Sequence, residues 1–160
     1  MKILMVCLGN ICRSPLAEGI LQKKVDAAKL GWNVDSAGTN GFHDGESPHK
    51  LSQKVAVANG IDISEQISRR ITQEDFLIYD RLYAMSVDVL EDMKRIGGEQ
   101  FNERKCSLFL NELHQGKNNS VPDPWYGNED GFIEVFQLID RTCDALINNY
   151  LQTTNYTPKI

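Results

Sequence analysis

The chain has 160 residues, of which 41% are hydrophobic and 24% are charged, and its formal net charge is −5 at pH 7. This length and composition predict one folded domain, residues 1–160, with a hydrophobic core of ordinary size. The acidic balance argues against nucleic acid or an anionic membrane as the main partner. We find no apolar stretch long enough for a membrane span and no signal-peptide pattern. Four cysteines without the spacing of a disulfide framework make a cytoplasmic, reducing location the expectation.

The first segment of the chain predicts a strand, a short loop and a helix. Residues 2–6 form an apolar run typical of a buried strand, and the Gly9-Asn10 pair breaks the pattern within residues 7–14, CLGNICRS. Pro15 suits the first turn of the next helix, because the amide that proline lacks would be unpaired there.

The loop between this strand and helix has the properties of an anion site. Backbone N–H groups and the positive end of the helix dipole meet at a helix N-terminus, which favours phosphate. Arg13 adds a planar fork of donors that can hold two phosphate oxygens. Cys7 lies at the other end of the loop, where we expect a thiolate that acts as a nucleophile toward phosphorus.

The rest of the chain alternates helices and strands, which predicts an α/β domain with a parallel sheet. Strands are predicted over residues 2–6, 32–37, 82–85 and 105–110, and the main helices over 15–29, 48–59, 87–96 and 129–150. Ligands of such folds bind at the carboxyl ends of the strands, where Cys7 lies. Residues 151–160 are polar and are expected to fray.

A glycine-rich loop, residues 38–45, follows the second strand and should overhang the same edge of the sheet. We expect Phe42 either to stack on a substrate ring or to pack the loop onto the body of the protein. His43 is expected to be an exposed loop histidine. The Arg69-Arg70 pair further along the chain is expected to be a solvated face or a salt-bridge partner.

Residues 121–127, VPDPWYG, form a second segment with chemical potential. Two prolines stiffen the backbone around Asp123. A poor leaving group departs far more readily when an acid protonates it. A positioned aspartic acid contributes about 10²–10⁴-fold to such a step.

These segments resemble the low-molecular-weight protein tyrosine phosphatase family over nearly the whole chain. Residues 7–15, CLGNICRSP, resemble its phosphate-binding loop, residues 36–39, SAGT, its second motif, and Asp-Pro followed by two aromatic residues its acid loop. The chain departs from the family pattern at Gln66, often a histidine, and at Ser86, usually an aspartate.

The resemblance implies a single α/β domain of the flavodoxin-like or Rossmann-like kind. Its central four-stranded parallel sheet would carry helices on both faces, and the phosphate loop would lie between strand 1 and helix 1. The implied activity is hydrolysis of phosphotyrosine in proteins, and of small aryl phosphates, without a metal or cofactor. Inorganic phosphate and other oxyanions would occupy the same site.

The resemblance also implies roles for individual residues. Cys7 attacks phosphorus to form a phosphocysteine intermediate, and Asp123 acts first as general acid and then as base. Ser14 hydrogen-bonds the thiolate, and Asn10 braces the loop. The implied binding residues are Leu8, Gly9, Asn10, Ile11, Cys12 and Arg13 for phosphate, and Phe42, Trp125 and Tyr126 for the substrate ring.

The four cysteines have no C-x-x-C spacing, so they predict neither a disulfide framework nor a zinc site. Cys12 shares the loop with Cys7, which makes a disulfide between them geometrically conceivable. The resemblance favours a redox role in which Cys12 traps oxidised Cys7 reversibly. The alternative on spacing alone is that Cys12 is a buried core residue, the role expected for Cys143.

Two other functions are compatible with this loop. Thioredoxin-coupled arsenate reductases share it but need two further cysteines close together, whereas Cys106 and Cys143 are far apart in the sequence. A silent phosphotyrosine-binding module would be expected to lack Cys7 or Asp123, and both are present. Exposed aromatic residues near the site would support a weak homodimer; a monomer is the other expectation.

Overall fold

The computed structural model describes residues 1–154, which fold around a four-stranded sheet. The elements in chain order are β1 (Lys2–Cys7), α1 (Arg13–Ala27), β2 (Asn33–Gly38), α2 (Lys50–Ala58), α3 (Asp75–Ile78), β3 (Arg81–Ala84), α4 (Val87–Gly97), β4 (Cys106–Leu108) and α5 (Glu129–Thr154). Short 3₁₀ turns occupy Gly98–Gln100, Phe109–Glu112 and Pro124–Tyr126.

All strands of the sheet are parallel, in the order β2-β1-β3-β4. Cys7 pairs with Gly38, and Val6 pairs with Ala84. The carboxyl ends of the three strands therefore meet at one edge, and the loops that follow them converge there. This confirms the predicted four-stranded parallel α/β architecture.

Side chains of β1 alternate between two hydrophobic clusters, one on each face of the sheet. Ile3 and Met5 belong to the cluster formed with α1, α2 and α5, whereas Leu4 and Val6 belong to the one formed with α3 and α4. All four side chains are fully buried, and burial of each contributes about 1.5–3 kcal/mol. The helices on both faces thus follow from a strand that is apolar on both sides.

Most predicted boundaries differ from the observed ones by one or two residues; the first helix, predicted over 15–29, is observed over Arg13–Ala27. The fourth strand ends at Leu108 instead of residue 110, because Phe109 and Leu110 turn into a 3₁₀ segment while both side chains stay buried. The predicted tail begins too early, since residues 151–154 continue α5. The remainder of that tail, residues 155–160, lies outside the described residues. None of the described helices has the length and apolarity to cross a membrane.

Candidate active site

The loop between β1 and α1 forms the floor of a pocket of about 250 Å³. Cys7 ends β1 and Arg13 begins α1, and both are at most 5% exposed. Asn10, between them, has a φ of 55°, a left-handed conformation that asparagine tolerates better than most residues. The Asn10 amide donates to the Cys7 sulfur at 3.2 Å. The loop therefore curls around the thiol.

The end of β2 supports this loop from behind. The N–H groups of Thr39 and Asn40 donate to the Cys7 and Leu8 carbonyl oxygens, each at 3.0 Å. A Cβ atom at Gly38 would lie 2.8 Å from the Leu8 oxygen, closer than real Cβ contacts allow. The close approach of the two backbones therefore requires glycine at this position.

Ser14 links the nucleophile candidate to the bracing asparagine. The Ser14 Oγ atom lies 3.0 Å from the Cys7 sulfur and 2.9 Å from the Asn10 Nδ2 atom. Since the asparagine Nδ2 group is a donor, Ser14 accepts from Asn10 and keeps its own hydrogen for the sulfur. A hydroxyl that donates to sulfur stabilises the thiolate form.

Asn10 is itself held by two other parts of the chain. Its Nδ2 atom also donates to Ser36 Oγ at 2.9 Å, and its Oδ1 atom accepts from the Arg69 amide at 3.0 Å. Ser36 donates in turn to Glu18 Oε2 at 2.5 Å. Burial, the main cause, and the nearby Asp35 carboxylate raise the pKa of Glu18 to about 7.

Arg13 connects the loop to the segment that carries the predicted acid. Its Nη1 atom donates to the Val121 carbonyl at 3.1 Å, and its Nη2 atom lies 3.6 Å from Asp123 Oδ2. The Oδ1 atom of Asp123 accepts from the Trp125 amide at 3.0 Å and so caps the 3₁₀ turn. One carboxylate oxygen therefore faces Arg13, and the other is fixed by the backbone.

Aromatic side chains surround the mouth of the pocket. Phe42 is 84% exposed, Tyr126 90% and Trp125 44%, and all three line the pocket. Of the two expectations for Phe42, packing onto the body of the protein is excluded by this exposure. An exposed aromatic rim is suited to stack on a planar ring.

His43 was wrongly expected to be an exposed loop histidine. Its side chain is 27% exposed, lines the pocket and lies 5.5 Å from the Trp125 ring, centroid to centroid. Its Nδ1 atom pairs with Glu46 at 2.8 Å. The histidine is therefore part of the pocket wall.

All four cysteines are free and buried. Burial, followed by the charges of Cys7 and Asp123, raises the pKa of the Cys12 thiol to about 12. Burial also raises the pKa values of the Cys106 and Cys143 thiols. Cys143 is fully buried in the core as predicted. Within residues 1–154, no three His, Cys, Asp or Glu side chains are grouped as a metal site would need.

The structure thus brings Cys7, Arg13 and Asp123 together at one pocket, with Ser14 fully buried against the Cys7 sulfur. The sequence did not point to Glu18 or to the Val121 carbonyl, and Ser36 entered only as part of a motif, whereas His43 lies in the loop that was predicted to overhang the site. An available signal for Glu18 was a carboxylate set among the apolar and small residues of the predicted helix, in the run PLAEGIL.

Comparison with known proteins finds one protein family that matches nearly the whole chain. The family model described as low molecular weight phosphotyrosine protein phosphatase matches residues 2–155. The human protein of that name is 35% identical over 148 residues, which cover 91% of this chain and 93% of the relative.

Two solved structures show the same fold. A protein tyrosine phosphatase from Entamoeba histolytica, with Hepes in its active site, is 34% identical, covers 96% of this chain and 99% of its own, and superimposes with a TM-score of 0.88. Wzb of Vibrio vulnificus, in complex with benzylphosphonate, is 29% identical, covers 92% and 97%, and has a TM-score of 0.82. The chain belongs to the low molecular weight phosphotyrosine protein phosphatase family.

Proposed function

We propose that the chain hydrolyses phosphotyrosine in proteins, and small aryl phosphates, with Cys7 as nucleophile and Asp123 as general acid and base. One arrangement carries this proposal. The Cys7 sulfur lies 3.0 Å from the Ser14 hydroxyl, and Arg13 lies 3.6 Å from the Asp123 carboxylate, on the wall of the same pocket. A nucleophile, a cation and a proton donor thus surround one cavity of suitable size for a phosphorylated ring.

In the first step, the Cys7 thiolate attacks phosphorus in line with the bond to the phenolic oxygen. The sulfur–phosphorus bond forms, the phosphorus–oxygen bond breaks, and Asp123 gives its proton to the leaving phenol. Arg13 and the backbone amides of Leu8 to Cys12 stabilise the charge on the equatorial oxygens, so the contribution of the protein is mainly positioning and electrostatics.

In the second step, water attacks the phosphocysteine. The ionised Asp123 accepts a proton from this water, the sulfur–phosphorus bond breaks, and inorganic phosphate and the Cys7 thiolate are released. The Ser14 hydroxyl, which can donate to the sulfur, makes the thiolate a better leaving group. The contacts of Asn10 with Ser14 and Ser36 keep that hydroxyl in place.

The substrate class follows from the pocket mouth. Phe42, Trp125 and Tyr126 give planar apolar surface on which a phenyl ring can stack, whereas a phosphoserine side chain is too short and too polar to use it. The same exposed rings would support contacts in a weak homodimer at high concentration. At lower concentration the protein would be a monomer. We also propose a cytoplasmic location and one catalytic domain over residues 1–160.

Cys12 is proposed to resolve oxidised Cys7 by forming a disulfide with it. Both residues belong to one short loop, which keeps the Cys12 thiol near Cys7. Since Cys12 is only 5% exposed, thiols from solution reach Cys12 poorly, and Cys7 is its nearest partner along the loop. Its raised pKa keeps it protonated at neutral pH, and the reaction is therefore slower than with an ordinary thiol.

The decisive test is phosphate release from a phosphotyrosine peptide, in reducing buffer with a chelator. We expect rapid release by the wild type and none by Cys7→Ser. Cys106→Ser is a matched control, since it removes a buried thiol away from the pocket, and should keep full activity. A phosphoserine peptide should be hydrolysed far more slowly.

Failure of the wild type to release phosphate would contradict the proposal. An assay for arsenate reduction with added thioredoxin would then distinguish a reductase from a phosphotyrosine-binding module. Activity that disappears with chelator and returns with a divalent metal would contradict the metal-free mechanism.

A further inference from the structure

A continuous line of hydrogen bonds leads from the nucleophile to a carboxyl group behind the loop. Cys7 Sγ contacts Ser14 Oγ at 3.0 Å, Ser14 Oγ contacts Asn10 Nδ2 at 2.9 Å, and Asn10 Nδ2 contacts Ser36 Oγ at 2.9 Å. The line ends where Ser36 Oγ meets Glu18 Oε2 at 2.5 Å. The proposed mechanism uses Cys7, Ser14, Asn10 and Ser36 and gives no role to Glu18.

The direction of these hydrogen bonds is set by Asn10. Its Oδ1 atom accepts from the Arg69 backbone amide, so its Nδ2 group faces both hydroxyls, one hydrogen for each. Ser14 and Ser36 must both accept from Asn10. Each then has its own hydrogen left to donate, Ser14 toward the Cys7 sulfur and Ser36 toward Glu18.

Glu18 is therefore the acceptor that this arrangement needs at its far end. Without it, the hydroxyl hydrogen of Ser36, a residue only 4% exposed, would have no acceptor in this line, and a buried donor without a partner is costly. Ser36 could avoid that cost by donating toward Asn10, which would turn the asparagine amide and remove its hydrogen from Ser14.

We propose that Glu18 is a positioning residue: by accepting the Ser36 hydrogen it fixes the Asn10 amide, and so keeps the Ser14 hydroxyl donating to the Cys7 sulfur. The inference rests on the proposed function, because the sulfur is taken as the nucleophile and later the leaving group.

The charges around Glu18 do not replace this role. The neighbouring cation is Arg69, whose guanidinium pairs with Asp35 and Asp75 at 3.1 and 3.0 Å. Asp35 raises the pKa of Glu18 and Arg69 lowers it, both less than burial raises it. A carboxyl group offers an acceptor oxygen in either protonation state. A glutamine at this position would offer one as well.

The experiment compares Glu18→Ala, Glu18→Gln, Ser36→Ala and the double variant Glu18→Ala/Ser36→Ala, with p-nitrophenyl phosphate as substrate. We expect Glu18→Ala to lower kcat about tenfold and to change KM less than about twofold, because phosphate binding is left to Arg13 and the loop. Glu18→Gln should keep kcat within about threefold of wild type, since it retains the acceptor.

The double variant tests whether Glu18 acts through Ser36. If it does, Glu18→Ala causes no further loss of kcat in the Ser36→Ala background. Gln22→Ala is the matched control: it lies one turn further along α1 and ties that helix to β2 through Val34, but it is outside the line. It should leave kcat unchanged.

A second readout does not need turnover. The rate of Cys7 alkylation by iodoacetamide, followed by mass spectrometry, should fall severalfold in Glu18→Ala and stay near wild type in Glu18→Gln and Gln22→Ala. If the wild type has no phosphatase activity but alkylation follows this pattern, the proposed function fails and the positioning role stands. Multiplying losses in the double variant, a loss confined to KM, or equal losses for alanine and glutamine would overturn the inference.

Discussion

The Nη2 atom of Arg13 lies 3.6 Å from the Oδ2 atom of Asp123. The same guanidinium donates through Nη1 to the carbonyl oxygen of Val121, two residues earlier. One side chain at the start of α1 therefore contacts both the backbone and the carboxylate of the distant acid segment. Its five donors in one plane make this double contact possible.

Arg13→Lys should lose the planar fork and keep the charge. We expect a decrease in kcat/KM of about 10²–10³-fold, because the three donors of a lysine sit on one nitrogen, which cannot grip two phosphate oxygens in the planar bidentate way and also bond the Val121 carbonyl. The measurement is steady-state kinetics with p-nitrophenyl phosphate. A lysine variant with nearly wild-type kcat/KM would show that only the charge matters at this position.

Asp123→Asn should separate substrates by their leaving groups. The variant has no proton to give, so we expect hydrolysis of phenyl phosphate to fall about 10²–10⁴-fold and that of an activated aryl phosphate, such as p-nitrophenyl phosphate, much less in the first step. Burst kinetics measure this step separately from phosphocysteine hydrolysis. Equal losses of the first step for both substrates would remove Asp123 from the role of acid.

Cys12→Ser should make oxidative inactivation irreversible. If Cys12 resolves oxidised Cys7, peroxide first converts Cys7 to a sulfenic acid, and the Cys12 thiol then displaces water from it to form a disulfide that thiols reduce. Since burial raises the pKa of the Cys12 thiol, we expect disulfide formation to accelerate as the pH rises above neutrality. Mass spectrometry of the loop peptide measures the disulfide. Full recovery of the peroxide-treated serine variant with thiol would contradict this role.

Glu18→Gln should change how the free energy of unfolding depends on pH. The pKa of Glu18 is raised from 4.5 to about 7, so between these values the folded state holds a proton that the unfolded state has lost. The stability of the wild type relative to Glu18→Gln is therefore highest below pH 4.5 and is lost as the pH rises through about 7.

Urea unfolding of both proteins at several pH values measures this difference. Between pH 4.5 and about 7, the free energy of unfolding of Glu18→Gln should rise by about 1–3 kcal/mol relative to that of the wild type. This value allows for partial solvation of the group. A difference that stays constant with pH would show that Glu18 ionises normally in the folded protein.

Much of the fold follows from local patterns. The apolar run of β1 fits a buried strand, and the helical periodicity of α5 fits a helix with one buried face. The alternation of strands and helices then predicts a parallel sheet. The end of β4 could not be predicted in this way, because Phe109 continues the apolar run after the strand has ended. The apolar run records which side chains are buried, and these stay buried when the backbone leaves the strand, so the run does not show where the strand ends.

The pocket floor and the acid segment could be predicted because the residues of each are consecutive in the sequence, 7–14 and 121–127. The network behind the floor was not, because Glu18, Ser36 and the Arg69 amide come from three separate segments that meet only in the folded protein. His43 was misjudged for the same reason: its burial depends on Gly9 and Trp125, which no local pattern places beside it.

The central place of β1 in the sheet has a consequence for synthesis of the protein. β1 leaves the ribosome before its partners β2 and β3, and β3 ends only at Ala84. Domains of this kind fold as units once their long-range partners are available. A nascent chain that does not yet include Val121 and Asp123 therefore carries the Cys7 thiol without the groups that complete its pocket. During this stage of synthesis the thiol is open to oxidation and cannot yet take part in catalysis.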